Sequence, residues 1–222
     1  MPEKIMKDAK RLAKKLSDLR RDIHMHPELG YEETRTSALV AQTLERLGLD
    51  VRKGVAKTGV VGLLKGSGKG GTVAMRADMD ALPITEQNDV PYRSTVDGVM
   101  HACGHDANTT TLLGAAMLLA ELRDEFSGNV KFIFQPCEEA PPGGALAMIE
   151  EGALKKPDVD AILAVHVDPM IPVGKIGVRE GPMMAAADDF RLAVLGEAAH
   201  GAKPHLGVDA IVLGSQVALA LQ

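Results

Sequence analysis

The sequence predicts an α/β fold, a mainly parallel sheet with flanking helices, followed by the start of a second domain. Three observations predict it. Helical and strand-like patterns alternate along most of the 222 residues. Glycine is plentiful, at 23 residues, as a chain with many tight βα and αβ turns requires. Three polar clusters directly follow strand-like runs, where parallel sheets place their ligand sites. With 45% hydrophobic and 25% charged residues, the composition excludes collagen-like, disordered and disulfide-scaffold classes.

The elements follow in order. Ile5, Ala9, Leu12, Leu16, Leu19 and Ile23 recur every three or four residues and predict an amphipathic surface helix. The acids Asp8, Asp18 and Asp22 argue against a membrane-surface role for it. A second helix fits Thr34 to Leu47, with Gly48 placed to end it. A buried strand fits Gly71 to Arg76, and a long helix Ala107 to Arg123. Val130 to Phe134 reads as a strand, Gly144 to Glu151 as a helix, and Ala161 to Val167 as a strand. After about residue 180 the character changes. Asp189 to Leu195 reads as a strand and Val208 onward as a helix still running at Gln222. The predicted organisation is therefore a domain over residues 1–180 and the beginning of a second over 181–222.

Charge and composition narrow the partners. A net charge of −5 indicates no basic nucleic-acid surface, and 3% aromatic residues offer few stacking platforms. No apolar run approaches the roughly 18 residues that cross a bilayer. The first 23 residues are rich in Lys and Arg without the apolar core of an export signal. Two cysteines are too few for a disulfide framework, so a cytoplasmic setting with free thiols is expected.

Chemistry concentrates in five places. His101-Ala-Cys103-Gly-His105-Asp106 offers thiolate and imidazole donors that suit Zn²⁺, Ni²⁺, Co²⁺ or, for the His, Mn²⁺. The turn leads into a helix N-terminus, which would help keep Cys103 as a thiolate. A helix cap with incidental His and Cys is the plainer alternative. Glu138 and Glu139 follow a buried strand; one such carboxylate can ligate a metal while the other acts as general base, or both are solvated turn acids. His166 closes an apolar strand, as a ligand or a satisfied core residue. Asp78 and Asp80 stand at another strand end, able to orient a ligating His or to cap a turn. His200, in a Gly- and Ala-rich turn, is an oxyanion donor or an ordinary exposed loop residue. A rival reading makes Cys103 a nucleophile with His105 or His101 as its base.

Taken together, Met75-Arg-Ala-Asp-Met-Asp-Ala-Leu-Pro, His101-Ala-Cys-Gly-His-Asp, Phe134-Gln-Pro-Cys-Glu-Glu and Gly196-Glu-Ala-Ala-His-Gly-Ala-Lys-Pro-His resemble the M20 metallopeptidase family. The similarity is greatest to its amidohydrolase branch, which holds hippurate, N-acyl-amino-acid and auxin-conjugate hydrolases. His24-Met-His-Pro-Glu-Leu-Gly fits that branch too. The resemblance implies a zinc-peptidase-like catalytic domain with two divalent ions per site, a smaller α+β lid and dimerisation domain, and a homodimer. It implies Cys103, His105, Glu139 and His166 as metal ligands, Glu138 as general base, Asp80 as the orienting acid and His200 as the lid histidine. The implied reaction is hydrolysis of the amide bond in small N-acylated amino acids or similar conjugates. Two residues depart from the pattern. Cys137 stands where a small residue is common, as an innocent volume match or an oxidation liability, and Asn108 where many relatives have a second His, from which little loss is expected. The family's chains are longer and carry a further metal-binding His near their end. The 222 residues alone are therefore expected to be inactive, and a non-catalytic metal-binding remnant is the alternative.

Overall fold

The computed structural model describes residues 2–186, 188 and 190–222. In chain order its main elements are α1 (Pro2–Met25), α2 (Thr34–Arg46), β1 (Asp50–Val55), β2 (Gly59–Lys65), β3 (Gly68–Asp78), α3 (His105–Glu121), β4 (Ser127–Gln135), α4 (Gly144–Glu150), β5 (Ala161–Ala164) and α5 (Ala210–Leu221). Contacts divide the chain into Met1–Met170 and Ile171–Gln222.

The first unit is built on one sheet, ordered β1-β2-β4-β3-β5. β3 runs parallel to β4 and to β5, while β1, β2 and β4 pair antiparallel. The α/β class stands, but the sheet is mixed rather than mainly parallel. The added antiparallel part is the β1–β2 hairpin, whose turn takes positive φ at Ala56 (51°) and Lys57 (73°). Such turns usually carry Asn-Gly or Asp-Gly. Ala-Lys hides the hairpin from sequence inspection.

Side chains alternate across the strands and fill both faces. Phe132 and Phe134 of β4, with Val60 and Leu64 of β2, join Val40 and Leu44 of α2 and Leu113 and Ala116 of α3 in the larger core. Ile133, Val61 and Ala74 point the other way and pack with Met148 of α4. α3 is apolar on most sides because it lies between the sheet and α1, which buries Leu12 and Ile23. The same face also buries a charged side chain. Lys131 is buried, and its Nζ donates to the carbonyls of Ala153 (3.0 Å), Lys155 (3.0 Å) and Pro157 (2.9 Å). Burial holds its pKa below the ordinary lysine range.

Two element boundaries bear on the site. α3 begins at His105, two residues before its expected start, so His105 sits in its first turn. β5 ends at Ala164, so His166 lies in the extended segment just beyond the strand.

In the second unit, the start of the expected strand, Asp189, lies outside the described residues. Residues 190–195 form no strand. The pairing described here is an isolated bridge between Glu197 and Val208. α5 starts cleanly because Asp209 caps it, its carboxylate accepting the Ile211 (2.9 Å) and Val212 (3.1 Å) amides. No described helix is long and apolar enough to cross a membrane.

Candidate metal centre

Sheet register brings the motifs together. Asp78 of β3 pairs with Gln135 of parallel β4, so the segments bearing Asp80 and Glu138–Glu139 leave the sheet side by side. β5 pairs with β3 on its other edge and delivers His166 to the same end. The turn into α3 completes the set. Gly104 precedes His105 at φ 86°, and a Cβ there would collide with Cγ2 of Val167. Only glycine allows this turn to pass so close to the His166 segment.

Ligand-type atoms of Cys103, His105 and His166 lie within 4.8 Å of one another, as do those of His105, Glu138 and Glu139. Both imidazoles are oriented for the same task. His105 Nδ1 donates to the Asp80 carbonyl (2.8 Å) and His166 Nδ1 to the Val167 carbonyl (2.7 Å). A carbonyl only accepts, so each ring carries its proton on Nδ1 and presents an Nε2 lone pair. Nε2 of His166 is 3.5 Å from the Cys103 sulfur. Nε2 of His105 is 3.6 Å from Glu139 and 3.9 Å from Glu138. Among the described residues, His105 Nε2 and Glu139 Oε1 are buried with no hydrogen-bond partner. Orphaned acceptors of this kind cost about 1–3 kcal/mol each unless a cation or proton meets them. Soft sulfur, imidazole nitrogen and carboxylate oxygen, in two groups that share His105, fit divalent transition metals.

The charges agree. Burial lifts Glu138 above the ordinary carboxylate range, and the adjacent Glu139 lifts it further. Burial opposes charge on Asp80, but the His105 ring and the Glu138 and Glu139 amides outweigh it and hold the carboxyl low. Burial also opposes charge on His105, yet Asp80, Asp78 and Glu139 keep its pKa raised. Cys103 is pushed up to about 12, first by burial and then by the carboxylates of Glu139, Glu138 and Asp78. Burial and these anions oppose the thiolate that the helix N-terminus favours, and a bound cation would offset them. Neither His105 nor His101 pairs with Cys103 as a base; its imidazole neighbour is His166.

Of the residues singled out in the sequence, Cys103, His105, Glu138, Glu139 and His166 converge. Asp80 stands behind them, its Oδ2 accepting the Glu139 amide (2.9 Å) while its carbonyl holds His105. His200 belongs to the second unit, where it is exposed and its Nδ1 accepts from the Ala202 amide (3.1 Å). Cys137 makes no part of either ligand group; its sulfur faces the Ala140 carbonyl (3.4 Å).

Sequence reasoning missed several supports. Asn108, noted only as a departure, donates to Asp78 (2.8 Å) and accepts the Val167 amide (3.1 Å), tying β3 to the His166 segment. Arg76 pairs with Asp78 at 2.6 Å. Behind the turn, His24 bonds Asp106 (2.8 Å) and Glu86 (3.2 Å), and Arg20 also reaches Asp106 (2.6 Å). His24 had a visible signal in its His-x-His-Pro motif, whereas Asn108 had only its position on α3.

Known proteins place this site in a family. The chain is 46% identical over 221 residues to "Thermostable carboxypeptidase 2" of Saccharolobus solfataricus, covering 99% of this chain and 56% of that protein. It is 45% identical over 203 residues to the "N-acyl-L-amino acid amidohydrolase" of Geobacillus stearothermophilus, covering 91% and 54%. A Bacillus subtilis crystal structure described as a dinuclear metal-binding peptidase from the M20 family superposes with a TM-score of 0.73 at 46% identity. It is matched over 78% of this chain and 48% of that one. The chain thus spans about half the length of these relatives. Residues 74–219 match the model of "Peptidase family M20/M25/M40". That stretch contains every converging residue of the centre and well over half of the chain, and on that match the protein belongs to the M20/M25/M40 peptidase family.

Proposed function

We propose that the whole protein is a metal-dependent hydrolase of the amide bond in small N-acylated amino acids. The observation that carries this reading is a pair of ligand groups that share His105: Cys103, His105 and His166 lie within 4.8 Å of one another, and so do His105, Glu138 and Glu139. In this reading Cys103, His105, Glu139 and His166 hold divalent metal, two ions per site in the complete enzyme. The ions supply a lowered water pKa and polarisation of the scissile carbonyl. Manganese, zinc, cobalt and nickel all suit this donor set.

The chain's own residues then have separate tasks. Glu138 Oε2 takes the proton of the attacking water and passes it to the leaving nitrogen, a role served by its raised pKa. Asp80 fixes the His105 ring through its carbonyl and the Glu139 backbone through its carboxylate. His200 Nδ1 already accepts a hydrogen bond, so its exposed Nε2–H is free to donate to an oxyanion. The reading makes residues 1–180 a catalytic domain and 181–222 the start of a lid through which the enzyme dimerises. Two free cysteines support a cytoplasmic setting.

The test uses the protein at its full genetic length. Metal content after gentle purification and turnover of N-acetyl and N-benzoyl amino acids are measured before and after chelation. Activity untouched by chelator, in protein without divalent metal, would sink the proposal.

A further inference from the structure

The His24–Glu33 motif is not used by the centre itself, yet its second half touches both loops that bear site acids. The Ala81 amide donates to the Glu28 carbonyl (2.8 Å), and Leu29 bridges Ala81, fastening the turn after Asp80. On the other side Gly30 lies against Cys137. A Cβ at residue 30 would stand 2.8 Å from its sulfur and 3.0 Å from its Cα. Tyr31 donates its hydroxyl to the Gly143 carbonyl (3.0 Å).

Glu33 makes the decisive contact. It is fully buried; Oε1 accepts the Cys137 amide (2.8 Å) and Oε2 the Thr58 hydroxyl (2.5 Å). It occupies the N-cap position of α2 but does not cap the helix with its side chain. That local task falls to Glu28, whose carboxylate accepts the Arg35 and Thr36 amides, both at 2.8 Å. Glu33 is thereby left free for a partner 104 residues away. The partner is unusual. Cys137 has φ 47°, a left-handed backbone that a non-glycine residue keeps only when its surroundings hold it. The next residue is Glu138. If residue 137 relaxes to negative φ, the peptide carrying Glu138 turns with it.

We propose that the 28–33 segment clasps the Asp80 and Glu138 loops together, and that Glu33 is a positioning residue that aims Glu138 by holding the Cys137 amide. The identity of Glu138 as the base rests on the hydrolase reading above; the clasp itself does not. Burial pushes the Glu33 carboxyl above its ordinary range, so a neutral side chain of the same shape suits the site.

The test compares Glu33→Ala, Glu33→Asp and Glu33→Gln in the metal-loaded protein at full genetic length. Amide hydrogen exchange at Cys137 and Glu138, metal content, kcat and KM are read. Glu33→Ala and the shortened Glu33→Asp should speed Cys137 exchange and lower kcat, each by roughly tenfold or more, with metal content and KM nearly kept. Glu33→Gln, which still presents an oxygen to the Cys137 amide, should recover most of both. If Glu33→Ala does not fold, the Asp and Gln pair decides. Unchanged exchange at Cys137 in Glu33→Asp overturns the clasp, and equal kcat losses in Gln and Asp overturn positioning by hydrogen bonding. If the unmutated protein cleaves none of the amides, the hydrolase reading fails while the exchange arm still judges the clasp.

Discussion

Glu138 and Glu139 are neighbours in sequence with different surroundings. Glu139 has its amide pinned by Asp80 and one buried, unpartnered oxygen, whereas Glu138 is more exposed and its pKa is raised. Glu138→Gln should therefore keep the metal and lower turnover by about 10²–10⁴-fold, while Glu139→Gln should lose metal. Metal analysis beside steady-state rates checks this, and equal metal loss in both variants would show the roles wrongly divided. Cys103→Ala should weaken metal binding and Cys137→Ala leave it nearly intact, read by metal titration of each. His101 makes a different prediction. It is 3% exposed, both ring nitrogens lack partners among the described residues, and burial lowers its pKa to about 4. A histidine held below its unfolded value stabilises the fold when neutral, fully above about pH 6.5, and that contribution is lost as pH falls towards 4. The loss amounts to roughly 3 kcal/mol. In chelator, the decline of Tm between pH 6.5 and 4 should be shallower in His101→Phe than in the unmutated chain; parallel slopes would refute it.

At the scale of elements, the turn into α3 is the most demanding piece of backbone. Gly104→Ala adds a methyl group against Val167 and an unfavourable φ together. It should cost about 2–4 kcal/mol and weaken metal binding, read by denaturant unfolding and titration. This turn also shows what sequence reading reaches. Cys103, His105, Glu138, Glu139 and His166 each sit in a short contiguous motif whose residue types carry their chemistry unaided. Asn108 and Glu33 carry no such mark, because their partners lie 59 and 104 residues away and only the sheet register unites them. The helices and the strands β3, β4 and β5 were legible from sequence pattern. The β1–β2 hairpin was not, because Ala56 and Lys57 adopt a backbone that their side chains do not advertise. β5 was expected to reach Val167 but stops at Ala164, beyond which His166 turns its ring to the Val167 carbonyl.

Across the whole molecule, apolar surface is unevenly covered. β5 and its extension expose Ile162, Leu163 and Val165, and α5 exposes Ile211, Val212 and Leu219. Contiguous patches of this kind favour association. The 222-residue chain made alone should sediment as concentration-dependent oligomers; a single monomeric boundary across a hundredfold range would count against this. The interior around Lys131 behaves in the opposite way. Its ammonium occupies a ring of three carbonyls, the donor set of a site for a monovalent cation. Here the cation is covalently part of the chain, so dialysis cannot remove it and a chelator has nothing there to extract. The segment from Ala153 to Pro157 keeps its support whatever the ionic makeup of the medium. On the proposed reading, chelation would thus empty the centre formed by Cys103, His105, Glu139 and His166 without unfastening the loop that leads into β5.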